Sequence, residues 1–310
     1  MKVLMITGDK HVFEEGSDAY ARFMLQQRMV DQLYAVYWGR RELWIPSAEG
    51  YTVVTTQDPF WRGLVGLISA RRAKAKLNVQ VHTDIELQGF IKRTIAHFVL
   101  RRADSIRVVS EHIKKQVEAM HVHARISVLP VFIDIEVVRA AHATLLREQY
   151  PQFKKLLLVA SRLEPEKNVA AAIQVLPEIL KKIPDAGLFI AGSGSQKEEL
   201  QTLAENLGVS ANVIFLGYRR DIYSLYKAVD LVLQPSWYEG FGASIVEALA
   251  AGTAVVSFDV GIAREAGAVI TTAEGLADTA TEALIQNAKG NLQLKTLSKE
   301  EWGNAWLQTL

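Results

Sequence analysis

The 310-residue chain contains no cysteine. That excludes a disulfide framework, a thiolate metal site and a cysteine nucleophile. It is compatible with a reducing cytoplasm. No apolar stretch approaches the ~20 residues that a membrane-spanning helix requires. The opening segment, MKVLMITGDKH, lacks a long apolar stretch followed by a small-residue cleavage site, so it reads as a first β-strand and not as a signal peptide. No low-complexity segment or short repeat is visible. The chain is near neutral, with a net charge of +1.

Apolar residues make up 49% of the chain, enough for a sizeable core. Its length suits two α/β domains. The charge is uneven. Residues 1–150 carry 21 Lys and Arg against 16 Asp and Glu, whereas residues 151–310 carry 14 against 18. Between Arg62 and Arg107 there are ten basic and three acidic residues. Such asymmetry points to an anionic partner for the first half.

Strand and helix signals alternate along the whole chain. KVLMIT, LYAVYW, YTVVTT, LNVQVH, SIRVVS and ISVLP read as strands of the first half, and KLLLVAS, AGLFIAG, NVIFLG, DLVLQPS and TAVVSF as strands of the second. Between them lie segments at helical spacing, the first preceded by Ser17 as a helix cap. Strands separated by helices imply parallel sheets with crossover helices. The rhythm breaks at RAAHATLLREQYPQF and then restarts. This predicts two doubly wound domains, residues 1–152 and 153–295, followed by a last helix over 296–310. Ligands of such sheets bind outside the carboxyl ends of the strands, so residues directly after strands carry the information.

Arg162 and Lys167, in SRLEPEKN, follow one strand, and Asn168 is placed to cap the next helix. Two cations at a sheet edge suit a diphosphate, because Arg can grip two oxygens and Lys adds a mobile charge. Gly192 and Gly194 form a glycine turn after the next strand, where a ligand can approach the backbone. It is not a full G-x-G-x-x-G, so a nicotinamide cofactor is not indicated. After DLVLQPS comes WYEGFGASIVE. Gly240 and Gly242 free the loop around Glu239, and a helix starting near Ala243 or Ser244 would turn its unpaired N–H groups toward a phosphate. Glu247, about one turn in, could accept two hydrogen bonds from a ribose, and Glu239 could do the same for sugar hydroxyls. Taken singly, each of these residues is as well read as a solvated loop charge or a tight turn. Taken together they are not.

The combined pattern resembles the retaining glycosyltransferases of family 4 (glycosyl transferases group 1). It rests on SRLEPEKN, FLGYRRDI, PSWYEGFG, EALAAGTAVVSFDVG and VHTD, and it is most specific over residues 155–261. The resemblance implies an α/β GT-B fold, with two Rossmann-like doubly wound domains facing across a cleft. It implies transfer of a sugar from a UDP- or GDP-sugar to a glycan or lipid-linked acceptor. The anomeric configuration would be retained, and no cofactor or metal ion would be required.

Carried over by position, Arg162 and Lys167 hold the diphosphate and Glu247 binds the ribose. Glu239 contacts the donor sugar, with the backbone of Gly240, Phe241 and Gly242 close by. The base is contacted near Gly217, Tyr218 and Arg219. Gly16 corresponds to the phosphate-facing loop of the first domain. His82 corresponds to the histidine near the donor sugar and the transferred oxygen, and Asp84 stands beside it. Departures from the pattern are a single Gly16 for the usual double glycine, PVFID without the common Asn-Gly, and a compressed GIAREAGAVITTAEGL around Arg264 and Glu265. Trp302 and Trp306 in the last helix read as packing residues. Two alternatives share this scaffold. One is a nucleotide-sugar epimerase, which would act without an acceptor and need carboxylates not seen here. The other is a non-catalytic nucleotide-sugar-binding protein.

Two basic segments complete the reading. Arg71, Arg72, Lys74 and Lys76 end one helix. Lys92, Arg93, Arg101 and Arg102 share another with Leu87, Phe90, Ile91, Ile95, Phe98 and Val99. Basic amphipathic helices suit an anionic membrane surface, and no nucleic-acid motif accompanies them. The expected location is therefore cytoplasmic, with peripheral contact at the cytoplasmic membrane face. The expected role is in making cell-envelope polysaccharide or glycolipid.

Overall fold

The computed structural model describes residues 1–39, 42 and 44–310. The chain divides into two compact units, residues 1–133 with 297–310, and residues 134–296.

The first unit contains strands β1 (Lys2–Thr7), β2 (Gln32–Tyr37), β3 (Val53–Thr56), β4 (Lys76–Val81), β5 (Ser105–Val108) and β6 (Arg125–Val128). They form one parallel sheet in the order β2-β1-β3-β4-β5-β6. Its crossover helices are α1 (Asp18–Gln27), α2 (Trp61–Ala73), α3 (Phe90–Leu100) and α4 (Glu111–Glu118). Ser17 caps α1 as its sequence position predicts, accepting the Tyr20 N–H at 3.0 Å.

The second unit opens with two short helices, α5 (Ile135–Ala140) and α6 (Leu146–Gln149). Its strands are β7 (Lys155–Ala160), β8 (Ala186–Ala191), β9 (Val213–Gly217), β10 (Leu231–Gln234), β11 (Ala254–Ser257) and β12 (Val269–Ile270). Their order is β12-β11-β10-β7-β8-β9, again all parallel. Five helices alternate with these strands, α7 (Val169–Lys182), α8 (Lys197–Asn206), α9 (Ile222–Ala228), α10 (Ala243–Ala250) and α11 (Ala263–Ala266), and α12 (Leu276–Ile285) follows the last strand. β7, β8, β10 and β11 are buried almost throughout, which is why they read as continuous apolar runs and not as alternating ones.

A final helix, α13 (Lys299–Thr309), belongs to the first unit. A capping box starts it. The Ser298 hydroxyl accepts the Glu301 N–H, and the Glu301 carboxylate accepts the Ser298 N–H. Trp302 and Trp306 are buried with Val3, Met5, Ala19, Leu33 and Leu129. The Trp302 indole N–H donates to the Pro130 carbonyl at 2.9 Å.

The observed division falls at 133/134, while the sequence reading placed it at 152/153. Residues 134–153 hold no strand, so nothing in their pattern assigns them to a sheet. They fold with the second unit because α5 packs on α10 and α6 on α9. β12, only two residues long, also escaped the pattern.

Candidate active site

Around the carboxyl edge of the second sheet, four loops carry the residues singled out in the sequence. After β7, Pro165–Lys167 form a 3-10 turn. The Lys167 ammonium lies 2.6 Å from Oε1 of Glu239, which follows β10, and both side chains are largely withdrawn from solvent. The Gln234 amide donates to the same Glu239 oxygen at 2.9 Å. Its own carbonyl accepts the Ser244 hydroxyl at 3.1 Å, in the first turn of α10. Gln234 thus ties the Glu239 loop to the start of α10. Sequence reasoning missed it, although a glutamine closing an apolar strand was the available signal.

Arg162 is more exposed, at 67%, and pairs with Glu166 at 2.7 Å. The two loops are joined directly, because the Trp237 N–H donates to the Glu166 carbonyl at 3.0 Å. Asn168 does not cap α7 with its side chain as expected. It takes a left-handed conformation, with φ 48°, and its amide donates to the Pro235 carbonyl at 3.0 Å instead. A further connection runs to the loop after β8. Glu164 accepts from the Ser195 N–H at 3.1 Å and from its hydroxyl at 2.7 Å. Those bonds hold the Glu164 carboxyl below its usual range.

Gly192 and Gly194 serve the protein's own backbone. A Cβ on Gly192 would lie 1.8 Å from the Ser161 carbonyl oxygen, and one on Gly194 would lie 2.3 Å from that of Leu163. These glycines let the loops after β7 and β8 abut. Gly217 ends β9, and Tyr218 beside it is exposed. Arg219 is held by Asp221 through a 2.7 Å hydrogen bond.

Gly242, at φ 97°, turns the chain into α10, whose first residue is Ala243 as the sequence predicts. Phe241 is buried, and its carbonyl accepts the Ile262 N–H at 3.0 Å. Glu247 lies on α10 with the Tyr226 hydroxyl 3.4 Å from its Oε2. Burial, and then the charge of Glu247, raise the Tyr226 phenol well above its usual pKa, so it stays protonated and able to donate. Arg264 pairs with Asp259 at 2.8 Å, both exposed.

The remaining predicted residues belong to the first unit. Gly16, at φ 85°, precedes the cap of α1 with open space where a Cβ would stand. His82 directly follows β4, with Nε2 3.3 Å from the Gln80 side-chain amide oxygen. Burial, then the charges of Arg107 and Arg22, push its pKa down to about 3, so the imidazole is neutral near pH 7. Asp84 is buried and committed. It accepts the N–H groups of Glu86 and Leu87, and the ring of His112 stands 3.1 Å away. Among the described residues no group of three or more His, Asp and Glu is placed to hold a metal.

Two parallel doubly wound units, with cations, glycine turns and paired glutamates at the strand ends of the second, define a GT-B-type scaffold. Residues 146–283 match the model of glycosyl transferases group 1, and residues 14–131 match that of the glycosyl transferase 4-like domain. The chain belongs to this family of glycosyltransferases. It is 42% identical over 110 residues to an uncharacterized glycosyltransferase of Methanocaldococcus jannaschii, covering 35% of this chain and 28% of that one. It is 26% identical over 249 residues to the alpha-monoglucosyldiacylglycerol synthase of Streptococcus pneumoniae, covering 73% and 56%. The chain therefore spans little more than half, or less, of these curated relatives. The crystal structure of Anabaena HepE in complex with UDP and glucose shares the fold, with a TM-score of 0.76 and 20% identity over 100% of this chain and 99% of that one.

Proposed function

We propose that the protein is a retaining glycosyltransferase that moves a sugar from a UDP- or GDP-sugar to a glycan or lipid-linked acceptor. The observation that carries this reading is the Lys167–Glu239 pair, 2.6 Å apart, fixed by Gln234 to the start of α10. A donor diphosphate would compete with Glu239 for Lys167, and the sugar hydroxyls would take up the carboxylate so released. Arg162 and the N–H groups opening α10 would add positive potential at the same sheet edge, in place of a metal ion. Glu247 would hold the ribose. The bond from the anomeric carbon to the phosphate oxygen would break as the acceptor oxygen bonds on the same face. The departing phosphate oxygen would take the acceptor proton, with Arg162, Lys167 and the helix dipole stabilising its charge. His82 and Gly16 belong to the unit to which we assign the acceptor.

The test is calorimetric titration with UDP, GDP and ADP, then with sugar nucleotides of the preferred base. One diphosphate should bind tightly, and Glu247→Ala and Arg162→Ala should each weaken it by about tenfold or more. No binding of any diphosphate by the folded protein would sink the donor-site reading.

A lipid-linked acceptor is favoured by one surface. Leu87, Phe90 and Ile91 stand exposed together, Phe90 at 83%, beside Lys92 and Arg93. At the far end of α3 the Arg102 guanidinium stacks on Phe98 at 3.8 Å. Apolar side chains flanked by cations suit an anionic bilayer, each cation adding about 1 kcal/mol near the surface. Among the described residues no helix is long and apolar enough to cross a membrane. The protein should sediment with anionic vesicles at low salt, and a Phe90→Ser/Ile91→Ser variant should stay largely in the supernatant. Wild-type protein left wholly in the supernatant would remove the membrane surface from the reading.

A further inference from the structure

Parallel strands buried on both faces are normally apolar. One face of the first sheet is not. Asn78 and Gln80 alternate along β4 with His82 in step just beyond it, Arg107 sits inside β5, and all but His82 are fully buried. The core-facing side of α1 is also interrupted, with Arg22 and Gln26 in line with buried Ala19. Places where a core breaks its own pattern are expected at sites of function.

All of these but Asn78 line one cavity of about 40 Å³, which Arg22, Gln26, Gln57, Gln80, His82 and Arg107 supply with polar groups. That is room for about three water-sized groups. Arg107 is only 2% exposed. It donates to the backbone carbonyls of Leu129 at 3.1 Å and Pro130 at 3.0 Å and to the Gln80 side-chain amide oxygen at 2.8 Å, and its guanidinium stands 5.2 Å from the Trp302 ring. All of these partners are neutral. Among the described residues neither Arg107 nor Arg22 has an ion pair. Asp9 is the one carboxylate on the described wall, and it accepts the His11 N–H at 3.0 Å. The wall therefore carries two guanidiniums against one carboxylate, together with a neutral imidazole.

A purely structural arginine in β5 would be served by the Leu129 and Pro130 carbonyls just after β6 and by the indole. It would gain nothing from a second guanidinium across the cavity. Burial and the charge of Arg22 together lower the Arg107 pKa to about 9, so the arrangement opposes itself electrostatically. A bound oxyanion would reverse that opposition and could be gripped by two oxygens.

We propose that the cavity between β4, β5 and α1 is a subsite for an oxyanion carried by the acceptor, a carboxylate or a phosphoryl group, held by Arg107 and Arg22 beside His82. The proposal rests on the assignment of the first unit to the acceptor. Arg22 and Arg107 then set specificity, selecting charged over neutral acceptors.

The test uses the whole protein in 150 mM salt, with D-glucuronate, glucose 6-phosphate and uncharged glucose as probes. The preferred nucleoside diphosphate is titrated in parallel. At least one charged sugar should bind ten times or more tighter than glucose, and which one it is separates carboxylate from phosphoryl recognition. Arg22→Gln, at a half-buried position of α1, should abolish the preference and leave nucleotide affinity unaltered. Arg107→Gln should do the same where it folds. Charged sugars bound no better than glucose, or a preference that survives Arg22→Gln, would overturn the proposal even with nucleotide binding intact. Loss of nucleotide binding alone would count against the donor reading and leave the charged-sugar result standing.

Discussion

Lys167→Ala is expected to lower turnover by about 10²–10³-fold, the scale of removing one preorganised group that stabilises developing charge. In the folded protein Lys167 holds Glu239, whose side chain is only 11% exposed. The same substitution therefore strands a carboxylate that keeps just the Gln234 amide, and stability should fall by about 1–3 kcal/mol. The two effects can be separated. Glu239→Ala in the Lys167→Ala background removes the stranded charge, so the double variant should melt closer to wild type than Lys167→Ala does. Its turnover should stay low, because in the proposed mechanism the leaving phosphate has still lost its cation. Turnover within threefold of wild type in Lys167→Ala would remove the diphosphate role. A double variant no more stable than the single would remove the electrostatic account of the pair.

Gly192→Ala is expected to destabilise the second unit by at least about 4 kcal/mol, the range reached when a backbone position is both strained and overpacked. The backbone there has φ 152°, and the added methyl would meet the Ser161 carbonyl oxygen at 1.8 Å. Neither the Gly192 N–H, bonded to the Gly217 carbonyl at 2.8 Å, nor the Ser161 N–H, bonded to that of Ala191, can move freely. The melting temperature should fall by roughly 10 °C. Gly208→Ala is the control. Its φ of 69° is also left-handed, but nothing lies within 4 Å of the added carbon, so only about 1 kcal/mol is expected. Equal melting temperatures for the two variants would show that the clash is relieved by loop movement.

The parallel α/β architecture was legible because buried parallel strands and amphipathic helices announce themselves locally. So was the Glu239 loop, whose glycines and following helix lie within ten residues of one another. The Ser17 cap was readable for the same reason. What the sequence concealed depends on partners far along the chain. Asn168 has the side chain of a cap, yet it bonds to Pro235. Glu164 carried no local signal of its own, yet it holds Ser195. Asp84 looked like a neighbour of His82 with a possible role in the site, yet its carboxylate organises the following loop and faces His112. Gly192 and Gly194 were readable as a tight glycine turn open to a ligand. Only the fold shows that neighbouring protein backbone, at Ser161 and Leu163, is what requires them.

The placement of α13 has a consequence for synthesis. Trp302 and Trp306 are core residues of the first unit, packed with Val3, Met5 and Ala19, yet all of residues 134–296 are translated before them. A ribosome therefore releases the second unit as an uninterrupted segment, while the first waits with an apolar trough along β1 and α1 until the last helix emerges. Of the two units, the one begun earlier is finished later.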